Sequence, residues 1–366
     1  MPSIALSNLS ARKGRSTISI LTVALGTALF LLLVGFTQGT LREIASRMIQ
    51  TDADLIVMHK GANPLITTNM SNLPMALGGE LRNLPGVAGA VPVAMTSVVI
   101  HNQATRMYGI AAEDLKELLK GRKFLSGRMY SDTLEAVIDN RLASVESLGL
   151  GDYIAGPAET QFKIVGIVEA GVLGRIYVPI GQLQNTLREP ETVWAFLVKC
   201  REPREAANVA AQVESRFKLA GTVMVANYFE VLSKSLKEMQ YVVSGVVALT
   251  LIMSFMVILL GMYTSVVERT REIGILKAIG AGKRLIVGEI MLESVIVAIL
   301  GATCGIGLSF LGRIFIERSY PHYSVDLTAR WLALSVLLGL VAGVCGSALP
   351  AWKAARQDPV TALNYE

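Results

Sequence analysis

Four long stretches of this chain carry almost no charge, and they limit its architecture more than any other feature. Residues 16–38, 241–267 and 331–352 contain no Asp, Glu, Lys or Arg, and residues 285–312 contain only Glu289 and Glu293. About 20 apolar residues are enough to cross the hydrocarbon core of a bilayer. Each stretch therefore reads as a membrane span. Residues 39–240 form a polar block between the first and second spans. Charged residues make up 17% of the chain, against about 25% in soluble proteins. The expected fold is an α-helical membrane protein with four transmembrane helices. A large α+β extracytoplasmic domain, a split α/β core with a β-rich insertion, lies between helices 1 and 2.

Charge placement sets the expected orientation. Lys and Arg collect in the head (residues 1–15), in residues 268–284 and in the tail (residues 353–366). In the block, acids and bases balance; in the loop 313–330, Arg313, Arg318 and Arg330 face Glu317 and Asp326. Basic loops stay in the cytoplasm, so both termini and residues 268–284 are expected there, with the block outside. The run 16–38 is too long for a typical signal-peptide core and lacks a small-x-small cleavage site, so it reads as a span. The net charge of +5 lies beside the spans, without the basic-aromatic clusters of a nucleic-acid binder. Cys200 is the sole cysteine of the polar block, so no disulfide framework forms there.

The block alternates short elements. DLIVMH (residues 54–59) is a strand, residues 73–84 a helix, and residues 91–101 and 104–110 a hairpin around Asn102-Gln103. Short strands and turns fill residues 135–180, followed by a strand at 193–200, an amphipathic helix at 203–219 and a strand at 222–226. Strand, helix and strand at both ends of the block predict paired α/β units around the insertion. Residues 40–50 continue the first span as a helical stalk.

Residues 266–284, VVERTREIGILKAIGAGKR, join the second and third spans. On a helix, Glu268 reaches Arg271 and Arg269 reaches Glu272, both at i,i+3. Ile275 and Ile279 lie one turn apart with Leu276 beside them, so one face is apolar and the other charged. Gly280-Ala281-Gly282 ends the helix. A basic helix could rest on lipid headgroups, but paired charge beside apolar knobs fits a handle gripped by a protein. In such a contact apolar anchors dominate and rim charges contribute little. Ile275 and Leu276 are therefore expected to matter and Arg269 alone to matter little.

No catalytic constellation stands out. Gly282-Lys283 lacks the rest of a P-loop, since Lys277 occupies the first glycine position and Arg284 the Ser/Thr position. His59, His101 and His322 are isolated, so no metal site is expected. Glu289 and Glu293 share a helix face at the start of the third span. They read as boundary residues or as a polar contact inside the bundle. Gly301, Gly305 and Ser309 form one small-residue stripe; Gly339, Gly343 and Ser347 form another. Such stripes bring helices close in lipid.

The segment VVERTREIGILKAIGAGKR and the tail PAWKAARQDPVTALNYE resemble those of the MacB/FtsX-type ABC transporter permeases. The match lies at Glu268, Arg269, Arg271, Glu272, Ile273, Gly274, Gly280 and Ala281. In the tail it lies at Pro350, Ala354, Ala355, Arg356, Asp358, Pro359, Ala362, Leu363 and Glu366. In the block, Leu125-Ser126-Gly127-Arg128, Glu135-Ala136-Val137, Val165-Gly166-Ile167 and Tyr177-Val178-Pro179 fall in family order. The resemblance implies a multi-pass protein of a bacterial plasma membrane, paired with itself or with a similar permease. It implies an ATP-binding cassette ATPase on a separate polypeptide, which carries ATP and Mg, so this chain binds no cofactor and is no enzyme. It implies that Glu268, Arg269, Arg271, Glu272, Ile273, Gly274, Ile275, Leu276, Ile279 and Gly280 touch that ATPase. ATP-driven closure then moves the outer domain, a mechanotransmission most consistent with export of an amphipathic or apolar substrate, with a periplasmic adaptor in some members. The family also includes lipoprotein-releasing permeases and regulators of wall hydrolases. Outside it, a self-contained channel or transporter lacks support, for there is no inverted repeat, midplane charge or broken helix pair. A membrane-anchored enzyme lacks a catalytic constellation.

Overall fold

The computed structural model describes residues 13–62, 72–100, 103–235, 237–320 and 324–357. The chain divides into two compact units, Thr40–Lys237 and the pair of segments Met1–Gly39 and Glu238–Glu366.

The first helix, α1 (Lys13–Ile49), runs on past the expected end of the span, and its last turns belong to the polar unit. That unit is built on one mixed sheet. Its strands are β1 (Leu55–His59), β3 (Val87–Ile100), β4 (Gln103–Ile110), β5 (Phe124–Gly127), β6 (Glu135–Asp139), β7 (Tyr153–Ala155), β8 (Gln161–Val168), β9 (Ile176–Pro179), β11 (Ala195–Cys200) and β12 (Ala220–Met224). A separate two-stranded pairing joins β2 (Leu73–Pro74) to β10 (Thr192–Val193). The ten-stranded order is β12-β1-β11-β3-β4-β9-β6-β8-β5, with β7 on β8.

β1 shows why the sheet is covered on both sides. Leu55 and Val57 enter one apolar cluster with Phe196 and Val198 of β11. Ile56 and Met58 enter another with Leu41, Ala45 and Met48 of α1. A strand buried on both faces reads as an unbroken apolar run, which is how LIVMH reads. The helices α2 (Leu77–Arg82), α3 (Ala112–Leu118), α4 (Asn140–Glu146), α5 (Ile180–Leu187), α6 (Ala206–Arg216) and α7 (Tyr228–Ser235) complete the unit.

One expectation changes here, and one connection is added: β3 joins both halves of the sheet. Val87 to Val93 pair with β11, and Ala94 to Ile100 pair with β4. The helix expected over residues 73–84 is confined to α2. Pro74 disfavours helical geometry in the residue before it, and Leu73 joins β2. The hairpin of β3 and β4 forms in the register Ile100 to Gln103; its turn, His101-Asn102, lies outside the described residues.

The other unit holds α8 (Lys237–Glu268), α9 (Thr270–Ala278), α10 (Lys283–Ser319) and α11 (Ala329–Arg356) beside the first part of α1. Residues 16–49, 241–268, 283–319 and 329–356 are long and apolar enough to cross a membrane. Glycine permits the close packing. A Cβ on Gly301 would lie 2.6 Å from Val23 Cβ, and one on Gly305 would lie 2.6 Å from the Ala24 carbonyl oxygen. On α11, Gly343 faces Ala298 at 3.0 Å, whereas Gly339 has ordinary contact distances of 3.9 Å. Ser294 Oγ and Ser347 Oγ hydrogen-bond at 2.8 Å between α10 and α11.

Candidate coupling segment

The segment between the second and third spans is a rigid rod between two bends. Arg269 has φ −107° and ψ 15°, outside helical values, and separates α8 from α9. At the far end Gly280 adopts φ +97°, a left-handed value that glycine takes without a Cβ penalty. The Gly280 N–H donates to the Lys277 carbonyl (3.1 Å) and the Ala281 N–H to the Leu276 carbonyl (2.9 Å). That pair of bonds is the Schellman motif and satisfies the last carbonyls of the rod. Gly282 then caps α10.

The inner side of α9 is clamped. Thr270, Ile273 and Gly274 are buried. Ile273 belongs to a cluster with Ile286, Ile290, Ala351 and Ala354. Lys277 Nζ donates to the carbonyl of Ala355 at 2.9 Å and also to that of Gln357. A lysine on these carbonyls meets both their unpaired acceptors and the negative end of the α11 dipole.

Arg269 also turns inward. Its Nε lies 3.0 Å from Glu272 Oε2, as the i,i+3 spacing predicts, and its Nη1 lies 3.4 Å from Glu293 Oε2 on α10. Glu293 is only 3% exposed, so it lies inside the bundle rather than at a wetted boundary. Glu289, one turn earlier and partly buried, has a carboxylate oxygen that is buried without a hydrogen-bond partner among the described residues.

The outer side carries Arg271, Glu272, Ile275, Ala278, Ile279 and Gly280. Ile275 is 48% exposed and Ile279 is 77% exposed; Leu276 is half-buried. Glu268, the last residue of α8, is exposed. The expected division into a charged face and an apolar face is thus revised. Glu272, Ile275 and Ile279, spaced i, i+3 and i+7, share one exposed face, while Arg269, Ile273 and Gly274 face the bundle. The sequence reading missed the Lys277 tether and the Arg269–Glu293 pair. Both partners lie on other helices, far along the chain, where helical spacing carries no signal.

A second polar cluster, inside the α/β unit, was also missed. Glu43 Oε1 accepts from Arg47 (3.2 Å), Arg141 (3.1 Å) and Arg175 (3.1 Å). Arg47 also meets the fully buried Asp139 at 3.3 Å, and Asp139 accepts the Leu142 N–H at the start of α4. Only the Glu43–Arg47 spacing within α1 hinted at it.

Among the described residues, four helices are long and apolar enough to cross a membrane, a packed helix joins the second and third, and an α/β unit follows the first. A family model of the MacB-like periplasmic core domain matches residues 16–216, and one of the FtsX-like permease C-terminal region matches residues 244–359. The chain belongs to the MacB/FtsX-type ABC transporter permeases. It is 26% identical over 401 residues to the macrolide export ATP-binding/permease protein MacB 2 of Aeromonas hydrophila, covering 99% of this chain and 60% of that protein. It is 25% identical over 396 residues to the uncharacterized ABC transporter permease YknZ of Bacillus subtilis, covering 99% of this chain and 98% of that one. The chain therefore spans 60% of the length of the first of these relatives. The crystal structure of the periplasmic region of MacB from Actinobacillus actinomycetemcomitans aligns with 52% of this chain and 97% of its own at 15% identity, with a TM-score of 0.38.

Proposed function

We propose that this permease converts ATP hydrolysis by a separate ATP-binding cassette subunit, which holds ATP and Mg, into movement of the α/β unit. The chain itself is not catalytic. It lies in the plasma membrane of a bacterium with both termini, α9 and the tail in the cytoplasm and the α/β unit outside. Two permease copies, or one with a similar partner, work together, and the exposed apolar face of α8 (Leu249, Ile252, Met253 and Met256) meets lipid and the second copy. The cargo is amphipathic or apolar and is extruded by mechanotransmission, with a periplasmic adaptor beyond the membrane.

One observation carries the coupling reading: α9 is packed on its inner side against α10 and α11 and leaves Ile275 and Ile279 exposed on its outer side. An exposed isoleucine pair on a clamped helix can enter a groove and push the bundle when the groove moves. The export reading is supported by the relative named for macrolide export. The coupling test is co-purification of the ATPase with Ile275→Asp and Ile279→Asp variants, with ATP turnover measured in reconstituted membranes. Loss of the ATPase from correctly inserted variants is expected. Undiminished binding and turnover in both would refute the assignment.

A further inference from the structure

We infer that Arg269 is the moving part of a two-position charge switch, held by Glu293 here and by Glu289 when α9 shifts one turn toward the start of α10. The inference deepens the coupling reading and rests on it for its purpose, but the exchange itself can be observed in this chain alone.

The two acids are four residues apart on one helix, so they present equivalent carboxylates about 6 Å apart along its axis. Arg269 occupies one of them at 3.4 Å. The other, Glu289, has a buried oxygen with no hydrogen-bond donor among the described residues. A buried acceptor without a partner is unfavourable and calls for an explanation. A cation that visits it in a second state supplies one.

The surroundings allow the move. Arg269 sits at the bend between α8 and α9, and Gly280 forms the bend at the other end. The switch moves α9 between them as a unit, which requires Ile273 to leave its packing against Ile286, Ile290, Ala351 and Ala354. Glu272 lies on that unit and would move with Arg269, keeping the 3.0 Å pair in both states. The guanidinium has donors for both carboxylates at once. Lys277 reaches carbonyls of Ala355 and Gln357 through a long flexible stem, which can follow the shift. Paired helices favour discrete one-turn steps over continuous sliding, because side-chain interdigitation repeats with the turn.

The test uses the full chain in lipid nanodiscs, with Cys304 and Cys345 changed to alanine. Nitroxide labels at Ala278→Cys and Leu300→Cys, both exposed positions, report the place of α9 along α10 by pulsed electron spin resonance. In the parent, one distance dominates. Glu293→Gln is expected to raise a population displaced by about 6 Å by roughly tenfold, and Glu289→Gln to remove it. Glu293→Asp keeps the charge on a shorter stem, so it must show the same displaced population at smaller amplitude. A role confined to fold stability would broaden the distances without moving populations in opposite directions. A single unchanged distance in all three variants, or the same shift in both glutamine variants, overturns the switch. Either result leaves the docking of an ATPase on Ile275 and Ile279 standing, because co-purification measures that separately.

Discussion

Arg269 shows how one side chain changes the account. On the sequence it is a surface charge three residues from Glu272, and its loss should matter little. In the fold it is the partner of a glutamate that is 3% exposed. Removing one member of a buried ion pair leaves the other charge poorly compensated, at a cost on the order of 3 kcal/mol. Arg269→Ala should therefore lower the melting temperature of the full chain in detergent. The double change Arg269→Met with Glu293→Leu should recover most of the loss, because it removes both charges. Equal melting of Arg269→Ala and the parent would count against a buried pair. A second residue of note is Glu135. Its bidentate bond from Arg128, with the N–H groups of Ser131 and Asp132, holds its carboxyl at about 2. A depressed folded pKa adds stability that is complete above the ordinary carboxylate range and is lost as pH falls toward about 2. The site is near the surface, so the gain is below about 1 kcal/mol. Amide exchange over residues 128–139 of the full chain should accelerate as pH is lowered from about 4.5 to about 2, after correction for intrinsic rates, and Glu135→Gln should remove that acceleration.

Elements divide into those that sequence spacing displays and those that it hides. The four apolar helices were legible because a long uncharged run has one stable form in lipid. The stop at Gly280 was legible because one residue type suits a left-handed bend. The i,i+3 pair of Arg269 and Glu272 was legible because both lie on one helix. The full length of strand β3 was not, for its first half pairs with the distant β11 while its second half pairs with the adjacent β4, and only the assembled sheet shows their continuity. The glycine stripes were legible as stripes but not in their partners: Gly301 and Gly305 face α1, while Gly343 faces α10. That distinction yields a graded expectation. Gly305→Ala would place a Cβ 2.6 Å from the Ala24 carbonyl oxygen, a backbone atom that cannot swing aside. Gly343→Ala meets Ala298 Cβ at 3.0 Å, and Gly307→Ala meets nothing within 4 Å. Thermal melting in detergent should rank Gly305→Ala as most disruptive, Gly343→Ala as intermediate and Gly307→Ala as neutral. Equal melting of all three would mean that the helices do not approach so closely.

For the whole molecule, the proposed function needs an orientation and a docking face. The proposed orientation is the one that the basic residues beside the spans favour. With Cys304 and Cys345 replaced by alanine, a membrane-impermeant thiol reagent should label Tyr153→Cys in intact cells and should label Lys283→Cys only after the membrane is opened; the reverse pattern would invert the topology. The central claim is that the outer side of α9 receives the ATPase. A photo-crosslinking side chain in place of Ile279, the most exposed position of this segment's apolar pair, tests it most directly. Tyr153, exposed in the α/β unit, serves as the control position. The account predicts a covalent adduct between position 279 and an ATP-binding polypeptide, with none from position 153. Adducts to lipid alone at position 279, or equal capture of the ATPase at both positions, would contradict it.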